Sequence, residues 1–371
     1  MRTRLVVFIS IVQAILLLGH TFVYVTCAYF YRGWAASWEA KLAFGLLSVS
    51  FVAASLRGWY SFHPLVRIFY TAAAVWLGLF SFLFVGSIAS WVVYVVSAIA
   101  RWGWPRESIA NAMFATGIAA TLYGILNAAT LRVSRISINL ENLPPQWRRR
   151  TAVLVSDLHL GHIRNYGFVS RVARRIAALR PDIVLIAGDL YDGVAGDFER
   201  LAVPWKELVS GKGVAQGVYY VAGNHEEFYA HAEYLPALRC SGVRVLDNEK
   251  VEVDGLQIVG IHFREGAHPE RYQAVLRNLR LDRNRASILL LHAPVRLAIS
   301  EAEGVSLQLS GHTHGGQFFP WTLIVQRVWG KFAHGLQLFG KMQVYTSYGT
   351  GTWGPPLRVG TRPQIVVITF E

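Results

Sequence analysis

The sequence predicts an N-terminal α-helical transmembrane bundle followed by one soluble α/β domain, and three observations carry that reading. Charge is unevenly placed: residues 1–131 hold eight Lys/Arg and two Asp/Glu, leaving 28 and 21 of the totals of 36 and 23 for residues 132–371. Long uncharged stretches of mainly apolar residues follow one another through that first third. From residue 151 onward, short β-rich apolar runs alternate with helical or turn-rich ones. The whole chain is 371 residues, 53% hydrophobic and 16% charged, which excludes disorder, collagen-like repeats and a small disulfide scaffold.

The spans follow from the spacing of charges. Between Arg4 and Arg32 lie 27 uncharged residues, enough to cross about 30 Å of hydrocarbon. Tyr24, Tyr29, Phe30 and Tyr31 stand where a signal peptide would need small residues, so an uncleaved helix is expected. Four helices are predicted, over 5–31, 41–62, 68–100 and 108–131. Arg57 can snorkel to lengthen the second, and the third exceeds one crossing, so it tilts, projects or breaks near Gly86. Trp34, Trp38, Trp59, Trp102 and Trp104 mark the interfaces.

Orientation follows from Lys/Arg on alternate sides. Arg2, Arg4, Arg57, Arg67, Arg132, Arg135 and the 148–150 arginines share one side, against Arg32, Lys41, Arg101 and Arg106 on the other. Both termini and the soluble domain are therefore expected in the cytoplasm, on a multi-pass inner-membrane protein. Gln13, His20, Asn111 and Asn127 are the main polar groups within the spans and are expected to serve helix packing rather than transport. The net charge of +13 divides as +6 before residue 132 and +7 after it, without a basic tail. It suits anionic lipid or phosphorylated substrates, and no nucleic-acid partner is expected. Cys27 and Cys240 offer no disulfide framework.

Residues 132–150 read as a connecting segment with a first strand, and 151–371 as one domain. Strands are predicted over 152–156, 183–187, 218–222, 256–261, 287–291, 306–309, 343–346 and 365–370. Phe168, Val169, Val172, Ile176 and Leu179 recur at helical spacing, with Asn165 as cap and Pro181 just beyond the end. Chemistry-bearing residues follow five strands: Asp157 and His159; Gly188, Asp189 and Asp192; Gly223, Asn224, His225 and Glu226; His292; and His312 with His314. Open α/β sheets place ligands at these carboxyl ends. Carboxylates, an amide oxygen and imidazoles, with no cysteine, suit manganese, iron or zinc, and a two-oxygen carboxylate can bridge a pair of ions.

The order D-x-H, G-D-x-x-D, G-N-H-E, H-A-P and G-H-T-H-G-G-Q resembles the calcineurin-like metallophosphoesterase superfamily over about residues 150–371. The last of these blocks, together with the G-T-W-G-P-P-L-R run at 351–358, resembles its membrane-associated YkuE-like branch. The resemblance implies a four-layer αββα sandwich and two divalent ions per chain, manganese foremost, with zinc or iron as alternatives. It implies that Asp157, His159 and His314 hold one ion, Asp189 bridges, and Asn224, His292 and His312 hold the other. His225 would be the general acid or transition-state stabiliser, oriented by Asp192. A metal-activated hydroxide would attack phosphorus in line. Gly193 stands where protein serine/threonine phosphatases have Arg, which weakens a protein-phosphatase reading.

The expected activity is hydrolysis of a phosphoester or pyrophosphate bond in a lipid-linked substrate. The alternatives are the same chemistry on a soluble substrate, with the helices as tether, and a non-catalytic membrane scaffold or sensor. Residues 318–339 carry Phe318, Phe319, Trp321, Leu323, Ile324, Val325, Val328, Trp329 and Phe332 with Arg327 and Lys331, and read as core, as a lid, or as an edge entering the bilayer surface.

Overall fold

The computed structural model describes residues 2–31, 33, 37–211, 213–227 and 231–371. Arg32 and Trp34, assigned above to a membrane interface, lie outside the described residues. The chain forms two compact units, one of residues 1–126 with Gly354–Val359, the other of Asn127–Trp353 with Gly360–Glu371.

The first unit contains α1 (Arg2–Phe30), α2 (Trp38–Gly58), α3 (Pro64–Ile99) and most of α4 (Arg106–Ala129). All four are long and apolar enough to cross a membrane. Helix α2 starts earlier than its uncharged stretch because Ser37 caps it, accepting a hydrogen bond from the Ala40 N–H. Helix α3 runs unbroken through Gly86, whose missing side chain lets the Met113 carbonyl of α4 approach. Three of the four polar residues bond within the helices, while Asn127 donates to the Thr361 carbonyl and accepts from Arg132. His20 accepts from Trp76 Nε1 at 3.0 Å, lies 2.7 Å from the Leu16 carbonyl and stacks on Phe80. Gln13 donates to the Ser48 carbonyl, and Tyr31 donates to Asn111.

One segment departs from the expected division at residue 131. Gly354–Val359 groups with the helices rather than with the sheets. A Cβ on Gly78 of α3 would collide with Leu357, and one on Gly124 of α4 would collide with Val359 and Leu357. The two glycines thus form a notch for Leu357, which is fully buried, and the Arg358 N–H donates to the Gly124 carbonyl at 2.9 Å. Hydropathy alone cannot show this, because the match joins residues far apart in the chain.

The second unit begins with β1 (Arg132–Ile138), β2 (Thr151–Val155), α5 (Tyr166–Leu179), β3 (Ile183–Ala187), α6 (Phe198–Ser210) and β4 (Val218–Val221). It continues with α7 (His231–Cys240), β5 (Arg244–Val245), β6 (Glu249–Val253), β7 (Leu256–Gly260), α8 (Phe263–Gly266) and α9 (Pro269–Leu279). It ends with β8 (Ser287–Leu290), α10 (Leu297–Ala302), β9 (Leu307–Ser310), α11 (Trp321–Trp329), β10 (Gly335–Phe339), β11 (Met342–Thr346) and β12 (Gln364–Phe370). Asn165 caps α5 as its sequence suggests, accepting from the Gly167 N–H.

Two six-stranded sheets result, in the orders β1-β12-β2-β3-β4-β5 and β10-β11-β9-β8-β7-β6. Strands β2, β3 and β4 are parallel neighbours, as are β7, β8, β9 and β11. Alternation along each strand loads both faces: Leu154 and Leu185 meet Ile258, Ile288 and Leu309 between the sheets, while Val153, Val155, Val184 and Ile186 pack outward under α5 and α6. On the far side Tyr272, Leu276 and Leu297 cover Val259, Leu289 and Val344. This is the four-layer αββα sandwich. Its two inner layers aim their parallel strands at one rim.

Trp147 closes the inter-sheet core, fully buried, edge-on to Phe370 and donating from Nε1 to the Val253 carbonyl at 2.8 Å. Trp147→Ala should destabilise the α/β unit by about 3–5 kcal/mol, the usual result of deleting a buried aromatic. Trp147→Phe should cost roughly 1–3 kcal/mol by leaving a buried carbonyl unpaired. Denaturant midpoints of the full chain in detergent measure both, and a negligible cost for Trp147→Phe would show that the hydrogen bond contributes nothing.

Candidate metal centre

Every chemistry-bearing residue of the five blocks sits just past the carboxyl end of a strand: Asp157 and His159 after β2, Asp189 and Asp192 after β3, Asn224 and His225 after β4, His292 after β8, His312 and His314 after β9. Asp157, His159, Asp189, His312 and His314 all have positive φ, between 48° and 71°. Each such residue is strained by roughly 1 kcal/mol or more, a concentration found where function overrides local preference. Two glycines complete the turns by closeness rather than by conformation. A Cβ on Gly223 would lie 2.1 Å from Asp189 Oδ1, and one on Gly311 would lie 2.2 Å from Asp157 Oδ2.

The candidate ligand atoms form overlapping groups, each within 4.8 Å: Asp157, His159 and His314; His159, Asp189 and His225; Asp189, His292 and His312. Asp189 lies between the outer groups, its Oδ2 3.1 Å from His292 Nε2 and 3.8 Å from His159 Nε2. Asn224 joins the last group through Oδ1, 2.8 Å from His312 Nδ1. Two histidines have their outer nitrogens engaged, His292 Nδ1 with the Ala187 carbonyl at 2.8 Å and His159 Nδ1 with Asp192 Oδ1 at 3.1 Å. This pattern fixes the tautomer and turns Nε2 inward, as metal-ligating histidines require.

The donor set fits a pair of divalent cations. His159 Nε2 and His314 Nε2 face each other at 3.0 Å, and buried Asp157 Oδ2 has no hydrogen-bond partner. Burial raises the pKa of the Asp157 carboxyl. Burial also opposes charge on His292, but Asp189 overrides it and lifts the imidazole to about 10, so a proton stands where a cation would be held. Burial, aided by His292, lowers His312 to about 3 and leaves it a lone pair to offer. Ligands of this kind exchange protons for metal on binding.

Asp192 serves two histidines. Its carboxylate is spent on His159, while His225 Nδ1 meets the Asp192 backbone carbonyl at 3.1 Å, with Oδ1 at 3.7 Å. His225 also falls within ligand distance of His159 and Asp189.

Two contributions were not assigned from sequence. Glu226 is fully buried and accepts three backbone N–H bonds, from Asp189, Tyr191 and Gly223, so it ties the β3 and β4 turns together. Burial, then Asp189, raises its carboxyl to about 7. Gln317 donates to the Trp353 carbonyl and accepts the Trp353 N–H, joining the G-H-T-H-G-G-Q block to the G-T-W-G run. The signal for both was position within a block already rich in ligands.

Residues 151–316 match the calcineurin-like phosphoesterase family model. The chain is 33% identical over 260 residues to an uncharacterized metallophosphoesterase of Aquifex aeolicus, covering 67% of this chain and 95% of that protein. It belongs to this metallophosphoesterase family. An uncharacterized metallophosphoesterase of Campylobacter jejuni is 32% identical, the match covering 67% of this chain and 66% of that one. A zebrafish (Danio rerio) transmembrane protein with a metallophosphoesterase domain is 29% identical over 80% of this chain and 74% of its own. Against two Helicobacter pylori relatives the chain spans 55% of their length.

Elemental analysis of the chain saturated with manganese should approach about two ions per molecule. Asp189→Asn should lower occupancy of both positions, and His314→Ala mainly one. A ceiling of one ion in the unmutated chain would overturn the paired arrangement.

Proposed function

We propose that this chain hydrolyses a phosphoester or pyrophosphate bond in a lipid-linked substrate, using two divalent ions held by Asp157, His159 and His314 on one side and Asn224, His292 and His312 on the other, with Asp189 between. Bound there, such ions supply Lewis acidity toward the phosphoryl oxygens and make a water acidic enough to attack at neutral pH. Nitrogen and oxygen donors without thiolate suit manganese, iron or zinc. His225, whose Nδ1 meets the Asp192 carbonyl, would stabilise the phosphoryl group or protonate the leaving oxygen. Glu226 keeps the two turns that present Asp189 and Asn224 in register.

The observation that carries the lipid reading is an aromatic collar. Phe263 lies 5.8 Å from both His292 and His312, Trp329 lies 5.7 Å from His312, and Trp353 lies 5.6 Å from His225, ring centre to ring centre. Trp353 is half exposed. A polar phosphate carrying an apolar tail suits a metal centre rimmed in this way, whereas a fully hydrated soluble phosphate gains little from it. The same reading puts the α/β unit on the cytoplasmic side of the inner membrane, supported by Arg132, Arg135 and the 148–150 arginines after the last span.

The test is turnover by manganese-loaded protein of phospholipids, nucleotide-sugar lipids and polyprenyl phosphates in micelles, beside a soluble nitrophenyl diester. Trp353→Ala should lower lipid turnover by about tenfold, the equivalent of roughly 1.4 kcal/mol of apolar contact, with a much smaller effect on the soluble diester. Equal losses, or turnover of soluble substrates alone, would favour the tether reading. His225→Ala should retain its metal and lose about 10²- to 10⁴-fold in kcat on substrates with poor leaving groups, and less with nitrophenol. Loss of metal would instead make His225 a ligand.

A further inference from the structure

Among the described residues of the α/β unit nine large apolar side chains are exposed, and seven of them fall within residues 319–338. Helix α11 has no buried residue at all. Trp321, Ile324 and Val328 follow one another at helical spacing, with Leu323 beside them, at exposures of 49%, 50%, 69% and 62%. The other side of α11 is turned to the centre, where Trp329 meets His312. Strand β10 continues the surface: it is the outermost strand of its sheet, and Leu336 and Leu338, two residues apart, are both exposed. An apolar surface of this extent, on an edge strand and its neighbouring helix, invites aggregation in water unless something covers it.

The charges select what covers it. From Phe318 to Lys341 there are three cations, Arg327, Lys331 and Lys341, and no carboxylate. The chain also carries four helices able to cross a membrane, and α4 ends only two residues before β1. A domain so attached meets lipid headgroups at far higher local concentration than any soluble partner. Aromatic and aliphatic side chains interspersed with cations along one segment match the anionic bilayer interface.

We propose that α11 and β10 form an interfacial element that lies in the headgroup region of an anionic bilayer. The proposal does not depend on what the centre hydrolyses, and it is tested without turnover. In a Cys27→Ala, Cys240→Ala background of the full chain, nitroxides are placed one at a time at Leu323, Ile324, Val328 and, as control, at exposed Glu270 on α9. The protein is reconstituted into vesicles of phosphatidylethanolamine and phosphatidylglycerol, and collision with oxygen is compared with collision with a nickel chelate. The ratio of oxygen to nickel accessibility at the three α11 positions should exceed that at Glu270 severalfold, and should fall when phosphatidylcholine replaces the anionic mixture. Nickel access equal to that at Glu270 would leave the surface in water and overturn the proposal. Shielding from both reagents would overturn it in favour of a protein cover, and a ratio indifferent to lipid charge would remove the role of the three cations.

Discussion

The structure turns on two carboxylates, Asp157 and Asp189, held almost out of reach of water with no Lys or Arg among the described residues to pair with them. Burying anions is expensive unless they are matched, and here the matching groups are histidines brought in from both sheets. That requirement explains much that looks separate. Five residues accept left-handed backbone, Gly223 and Gly311 give up side chains so that carboxylates can approach, and Glu226 gathers three backbone N–H groups beneath Asp189. The sandwich supplies the stiffness. Its parallel strands, buried on both faces, fix the rim against which these turns are strained.

How much of this could be read in advance depended on how local the chemistry was. The ligand blocks were legible because each lies within a few residues of a strand end, and apolar runs such as 183–187 announce a strand buried on both faces. The amphipathic α5 was legible through its spacing and its Asn165 cap. Strand β5, two residues long, is too short to show a period, and β10 alternates but turns Leu336 and Leu338 to its exposed face, the reverse of what such a period implies. The pairing of the Asp192 carboxylate with His159 rather than His225 is a matter of side-chain rotamers across a turn, and no spacing rule distinguishes the two. The stretch over 318–339 supported three readings because the same residues suit a core, a lid or a surface. Exposure sets the core reading aside for α11, whereas Phe318 is buried and Phe332 and Phe339 pack against the far-side core.

The aromatic residues divide the labour between the two units in a similar way. In the helices Trp76 and Trp91 are spent on satisfying polar groups, His20 and Thr26, that would otherwise face hydrocarbon. Around the metal centre Phe263, Trp329 and Trp353 instead border histidines whose polar atoms are committed inward. The same side-chain chemistry thus seals a polar group in one setting and frames an opening in the other.

The notch that receives Leu357 bears on heredity more than on chemistry. Gly78 and Gly124 belong to the spans, and Leu357 to a segment that the chain reaches only after building nearly all of both sheets. A larger residue at either glycine excludes Leu357, and a smaller one at 357 leaves a void, so the three positions are expected to change together as lineages diverge. Recombination that exchanged the spans between relatives, without the 354–359 segment, would join mismatched halves. Where the spans are present, they and the 354–359 segment that fills their notch are therefore expected to be kept or exchanged together, despite the sharp change of composition between helices and sheets.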